Sequence, residues 1–72
     1  MRKAKKIKIK INGKKKIISD KLKLLDLIIF LKIPLKKVAI ELNEEIVDKK
    51  ALSSINLKKN DKIEIVHFIG GG

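Results

Sequence analysis

The chain contains no cysteine, which excludes disulfide staples, thiolate nucleophiles and zinc-thiolate sites, so its stability must come from packing. Aromatic residues are nearly missing as well, since Trp and Tyr do not occur and Phe30 and Phe68 are the two phenylalanines. Binders of single-stranded nucleic acid stack bases on aromatic side chains, and this chain offers no such platform. Arg2 is the one arginine among nineteen basic residues. Arginine forks onto phosphates and reads guanine edges. A net charge of +11 carried by lysine therefore points away from specific nucleic-acid recognition, although a surface this positive attracts phosphates weakly. His67 is the sole histidine, with no carboxylate cluster at ligand spacing beside it, so a structural or solvent-facing role is expected and no metal site. No Gly-rich loop precedes a helix, so a P-loop phosphate cradle is absent too.

Long hydrophobic runs are also lacking. Leu27-Ile28-Ile29-Phe30-Leu31 is the longest, far short of the ~20 residues that span a bilayer. The basic start, Met1 to Lys6, leads into alternating Ile and Lys rather than an apolar block, so no secretory signal is expected. These features predict a cytoplasmic protein with no membrane partner. With 72 residues there is room for one small core, burying about 60% of the unfolded surface. One domain is expected over residues 1–69, with residues 70–72 as a flexible tail. So small a domain favours a binding or carrier role over independent catalysis, with no bound cofactor. The lysine excess fits an AT-rich coding sequence or a thermophilic origin, and composition does not separate the two.

What is present is aliphatic and strongly patterned. Ile7, Ile9 and Ile11 alternate with Lys6, Lys8 and Lys10, the period of a strand with one face on a core and the other in water. Asn12-Gly13 follows, a hairpin signal because a type I′ turn needs positive φ at both central positions. A second strand is expected over roughly Lys14 to Ile18. Ser19 or Asp20 can then cap a helix, with Leu22, Leu25, Ile29 and Ile33 as its buried stripe. Pro34 disfavours helical angles at Ile33, placing the helix end near Lys32. Val38 to Leu42 reads as a third strand and Asn43-Glu44-Glu45 as a turn into a short extended piece at Ile46-Val47. Leu52, Ile55 and Leu57 are expected to plug the core through a turn or 3₁₀ segment. After a turn at Lys59-Asn60-Asp61, a final strand puts Ile63 and Ile65 on one face and Glu64 on the other. A right-handed crossover through the helix favours a parallel strand pair. The sum is an α+β domain of the ubiquitin-like β-grasp kind, a mixed sheet wrapped on one helix. Glu44 and Glu45 read as solvated turn residues and not a catalytic dyad.

Behind the last strand stand Phe68 and Ile69 and then Gly70-Gly71-Gly72. Glycine has no Cβ, so such a segment can enter a narrow cleft in backbone conformations closed to other residues. Three glycines extend about 10 Å. The terminal carboxylate of Gly72 is thus the expected functional group, with Gly70 to Gly72 in a partner's channel and Phe68 and Ile69 against that partner near its mouth.

Two blocks, Val38-Ala39-Ile40-Glu41-Leu42-Asn43-x-Glu45-Ile46-Val47 and Asn60-Asp61-x-Ile63-Glu64-Ile65-Val66 running into Phe68-Ile69-Gly70-Gly71-Gly72, resemble the ThiS family of ubiquitin-like sulfur carriers of thiamine biosynthesis. The resemblance covers Ile7 to Gly72. Two departures stand out: Glu44, where the family usually has Gly, and the high positive charge. The resemblance implies that the Gly72 carboxylate is adenylated with ATP by a ubiquitin-activating-like adenylyltransferase. A sulfur donor protein then converts it to a thiocarboxylate, which serves thiazole synthase. The chain would be a substrate and carrier of enzymes, not itself an enzyme, with ATP consumed by the partner. A molybdopterin-synthase small-subunit-like carrier, a ubiquitin-like modifier and a basic RNA-binding β-grasp module remain as alternatives.

Overall fold

The structure is a computed structural model that describes residues 3–68. Its strands are β1 (Lys6–Ile11), β2 (Lys14–Ser19), β3 (Val38–Leu42), β4 (Glu45–Ile46) and β5 (Lys62–His67), with one α-helix, α1 (Leu24–Phe30), after β2. Short 3₁₀ turns at Leu35–Lys37 and Lys49–Ser54 complete the order. The strands form one sheet in the order β2-β1-β5-β3-β4. β1 and β5 run parallel, while the other neighbours are antiparallel. The expected parallel pair therefore joins the first and last strands. The helix crossover instead links β2 to β3, which lie apart with β1 and β5 between them.

Local chemistry accounts for the β1–β2 hairpin. Asn12 and Gly13 both hold positive φ, +49° and +82°, as a type I′ turn requires. The register pairs Ile7 with Ile18 and Ile9 with Lys16, so Ile7, Ile9, Ile11 and Ile18 share the core face while Lys6, Lys8, Lys10, Lys15 and Ile17 share the open face.

The helix departs from expectation in register and in cap. Its fully buried residues are Leu24, Leu27 and Ile28, not the stripe through Leu22, Leu25, Ile29 and Ile33. Leu22, Leu25 and Ile33 pack at the core margin, and Ile29 is 63% exposed. Ser19 and Asp20 do not cap it. Ser19 Oγ accepts from the Lys21 N–H and Asp20 Oδ1 from the Lys5 N–H, which closes the open end of the hairpin. Lys23 occupies the N-cap in an extended conformation, and Asp26 Oδ2 accepts its N–H at 3.0 Å. The helix stops at Phe30 because Lys32 turns left-handed, φ +57°. The Lys32 N–H then bonds the Ile29 carbonyl and the Ile33 N–H the Ile28 carbonyl, the paired bonds of a Schellman cap.

Leu24, Leu27 and Ile28 seat against Ile9, Ile18, Val38, Ile40, Ile63 and Ile65 of the sheet, with Leu52 and Leu57 closing the open end. Each such side chain contributes about 1.5–3 kcal/mol on burial. The sheet's other face has no element covering it among the described residues.

Candidate functional site at the end of the last strand

The third strand in the sheet order, β5, leads to the C-terminal residues. Its partners differ on its two sides. β3 pairs with it from Leu42↔Ile63 to Val38↔His67, whereas β1 pairs only at Lys10↔Lys62 and Ile11↔Ile63. Beyond Ile11 the chain turns away, and Asn12 takes over the ladder. The Asn12 N–H donates to the Ile63 carbonyl at 2.9 Å, and its Oδ1 accepts the Ile65 N–H at 2.7 Å. One residue thus closes the hairpin and holds the edge of β5.

A second clamp sits where β5 begins. Asp61 is buried, and its carboxylate accepts from the Lys58 N–H at 2.8 Å and from Asn43 Nδ2 at 3.0 Å. Asn43 in turn accepts the Lys62 N–H on Oδ1 at 2.9 Å and donates its own N–H to the Lys62 carbonyl at 2.7 Å. The β3–β4 turn is thereby tied to the turn that launches β5. Buried polar groups demand such partners, since an unmet one costs about 1–3 kcal/mol. At the far end the Phe68 N–H donates to the Lys37 carbonyl at 2.9 Å.

Phe68 is the last described residue of this path. It is 49% exposed, and the Lys49 ammonium lies 5.5 Å from its ring centroid. By strand alternation Phe68 shares the open face of the sheet with Val66, itself half exposed, and Val66 stands opposite Ala39. Ile46, opposite Glu41, adds an exposed aliphatic side chain to that face. The open face is apolar near the end of β5 and lysine-rich across β1. Of the residues singled out from sequence, Phe68 stands half exposed just after β5; Ile69, Gly70, Gly71 and Gly72 lie outside the described residues.

No metal-binding group of His, Cys, Asp and Glu exists among the described residues, and His67 is exposed beside Val38. Glu44 and Glu45 are both exposed. No helix among the described residues is long and apolar enough to cross a membrane. Sequence reasoning missed the positioning role of Asn12, Asn43 and Asp61. From sequence all three read as turn residues, and Asn43 and Asp61 also as parts of a resemblance.

A mixed five-stranded sheet wrapped on one helix, with its third strand leading to the C-terminal segment, defines the ubiquitin-like β-grasp class. The sequence profile of the ThiS family matches residues 5–72, and the chain belongs to that family. A crystal structure of the thiamine biosynthesis protein ThiS from Geobacter metallireducens superposes with a TM-score of 0.80 at 29% identity, over 92% of this chain and 100% of that one. The sulfur carrier protein ThiS of Bacillus subtilis is 49% identical over 37 residues, 51% of this chain and 56% of that protein. A thiazole synthase of Paramagnetospirillum magneticum is 39% identical over 66 residues, which is 92% of this chain and only 20% of that enzyme. The chain thus spans about a fifth of the length of that relative.

Proposed function

We propose that the protein is a sulfur carrier of thiamine biosynthesis, and that Gly72 bears the sulfur. The family match over residues 5–72 carries this reading, and the clamped β5 that leads toward the glycines supports it. An α-carboxyl ionises near pH 3.5 and is an anion at neutral pH, so a sulfur nucleophile does not displace its oxygen unaided. Activation comes first. The Gly72 carboxylate attacks the α-phosphorus of ATP on an adenylyltransferase partner, forming an acyl-adenylate and releasing pyrophosphate. Sulfide-level sulfur, freed from a donor protein's persulfide by two electrons from a thiol reductant, then attacks the acyl carbon, expels AMP and leaves a thiocarboxylate. The carrier needs no thiol of its own, in keeping with a chain without cysteine.

Thiazole synthase is the proposed acceptor, supported by an enzyme of that name that contains a segment matching this chain. In this reading the chain is acted upon rather than catalytic, binds no cofactor, and works in the cytoplasm, where ATP and sulfur donors meet. The half-exposed Phe68 beside the exposed Val66 supplies an apolar contact near the mouth of the partner's channel. The test is intact mass after incubation with the cognate adenylyltransferase, ATP and a sulfur source. One sulfur-for-oxygen exchange, localised to Gly72 by fragmentation, is the expected product. An unmodified terminus beside an enzyme proven active on another carrier overturns the proposal.

A further inference from the structure

The proposed sulfur chemistry concerns the end of the central strand β5, yet the molecule has a second surface suited to contact, at the β2 edge of its sheet. β2 is first in the sheet order, so among the described residues no strand pairs with its outer edge. Antiparallel ladders alternate residues that bond inward with residues that do not. The Asp20 N–H donates to the Lys5 carbonyl, which fixes the phase. Lys14, Lys16 and Ile18 bond to β1, and Lys15 and Ile17 turn their N–H and C=O groups to the free edge.

Beside this edge runs a groove against α1. An open depression of ≈ 240 Å³ is lined by Lys16, Ile17, Ile18, Leu22, Leu27 and Phe30. A second, of ≈ 270 Å³, continues it past Lys14 and Lys15 to Leu31. Phe30 and Ile17 are 72% and 55% exposed, a large apolar presence for so small a surface. The Lys16 ammonium sits 5.8 Å from the Phe30 ring centroid, bridging strand and helix across the groove.

We propose that this groove accepts an extended acidic-aliphatic segment of another protein, which adds to the sheet as a strand beside β2. The free amides and carbonyls of Lys15 and Ile17 supply the ladder bonds, and alternate side chains of the added strand supply specificity. Its side chains opposite Ile17 and Ile18 are aliphatic, and the one beside Ile18 faces α1 and fills the depression between Ile18, Leu22 and Phe30. Its side chains opposite Lys14, Lys15 and Lys16 are acidic, those at Lys14 and Lys16 on the α1 face and the one at Lys15 on the open face. Charge decides the occupant. A second copy of this chain would set the same lysines against one another, and like charges directly opposite destabilise a strand pair. Lysines on an edge commonly guard against self-association; here they leave the edge open to a segment of opposite sign.

The probe is a short synthetic peptide in which a run of isoleucine and valine adjoins a run of aspartate and glutamate, titrated into the isotope-labelled full chain and followed by amide chemical shifts. Saturable shifts are expected at Lys15, Ile17 and along α1. Phe30→Ala and Lys16→Glu, both well tolerated by the fold because neither side chain is in the core, should each weaken binding about tenfold. A peptide of the same sequence, N-methylated on the amides that face β2, should not bind. The proposal is overturned if the N-methylated peptide or polyglutamate binds as well as the probe. Shifts concentrated on Lys6, Lys8, Lys10 and Lys62 of the open face, or no saturable binding, overturn it equally. Thiocarboxylate formation at Gly72 needs no contact with this groove, so either idea can fail without the other.

Discussion

Glu44 is held at φ +72° directly after Asn43 at φ +51°, a conformation in which a Cβ crowds the following carbonyl at a cost of roughly 1–2 kcal/mol. Asparagine tolerates it through local hydrogen bonding, as Asn43 does in its bonds with Lys62 and Asp61; glutamate has no such means. Its carboxylate reaches Lys62 Nζ at 3.4 Å, but both side chains are well exposed, and pairs of this kind contribute little. The turn forms because Asn43 and Asp61 impose it, and Glu44 carries the strain. Glu44→Gly should therefore raise stability by about 0.5–1 kcal/mol, read from the midpoint of urea unfolding at unchanged slope. A fall in stability would mean that the ion pair outweighs the backbone.

At the scale of elements, the strands were legible and the helix register was not. β1 alternates strictly, and Asn12-Gly13 dictates both the turn and the pairing, so nothing distant is needed to place the hairpin. Between Leu22 and Ile33 nearly every position is apolar, and several helical stripes fit equally well. Packing makes the choice, since only the face of Leu24, Leu27 and Ile28 meets the sheet while Leu52 and Leu57 close its end. The cap was hidden for the same reason. Ser19 and Asp20 are good capping residues by type, but the hairpin and its following turn use both, and the helix begins at a lysine that has no acceptor to offer. The clamp on β5 was hidden differently, because Asn12 and Ile65 lie 53 residues apart and no local pattern links them. Lys23 already has the extended backbone of an N-cap, and Asp26 already provides half of a capping box. Lys23→Ser should complete it and stabilise the protein by about 1 kcal/mol, seen as a higher melting temperature by circular dichroism. An unchanged or lower melting temperature would show that the ammonium stem contributes more than the missing cap.

Across the whole molecule, the core and the proposed chemistry use different residues. Among the described residues, every buried hydrophobic side chain lies between Ile9 and Ile65, and the bonds that fix β5 come from Asn12, Asn43 and Lys37, with Asp61 holding the turn before it. Changes in the glycines should then leave folding alone and act on the partner reaction. Gly71→Ala is expected to shift stability by no more than about ±0.5 kcal/mol, while its methyl group narrows the fit in a channel and excludes backbone angles that glycine allows. Deleting Gly72 withdraws the carboxylate by about 3.5 Å, beyond the reach of an in-line attack on the α-phosphorus. ATP-pyrophosphate exchange by the adenylyltransferase, with melts recorded on the same preparations, separates the two effects. Exchange should be reduced for the alanine variant and abolished for the deletion, with all three proteins melting together. A deletion variant that melts like the parent and still supports exchange at the parental rate would show that Gly72 is not the reacting end, and the carrier chemistry would then have to be sought elsewhere in the chain.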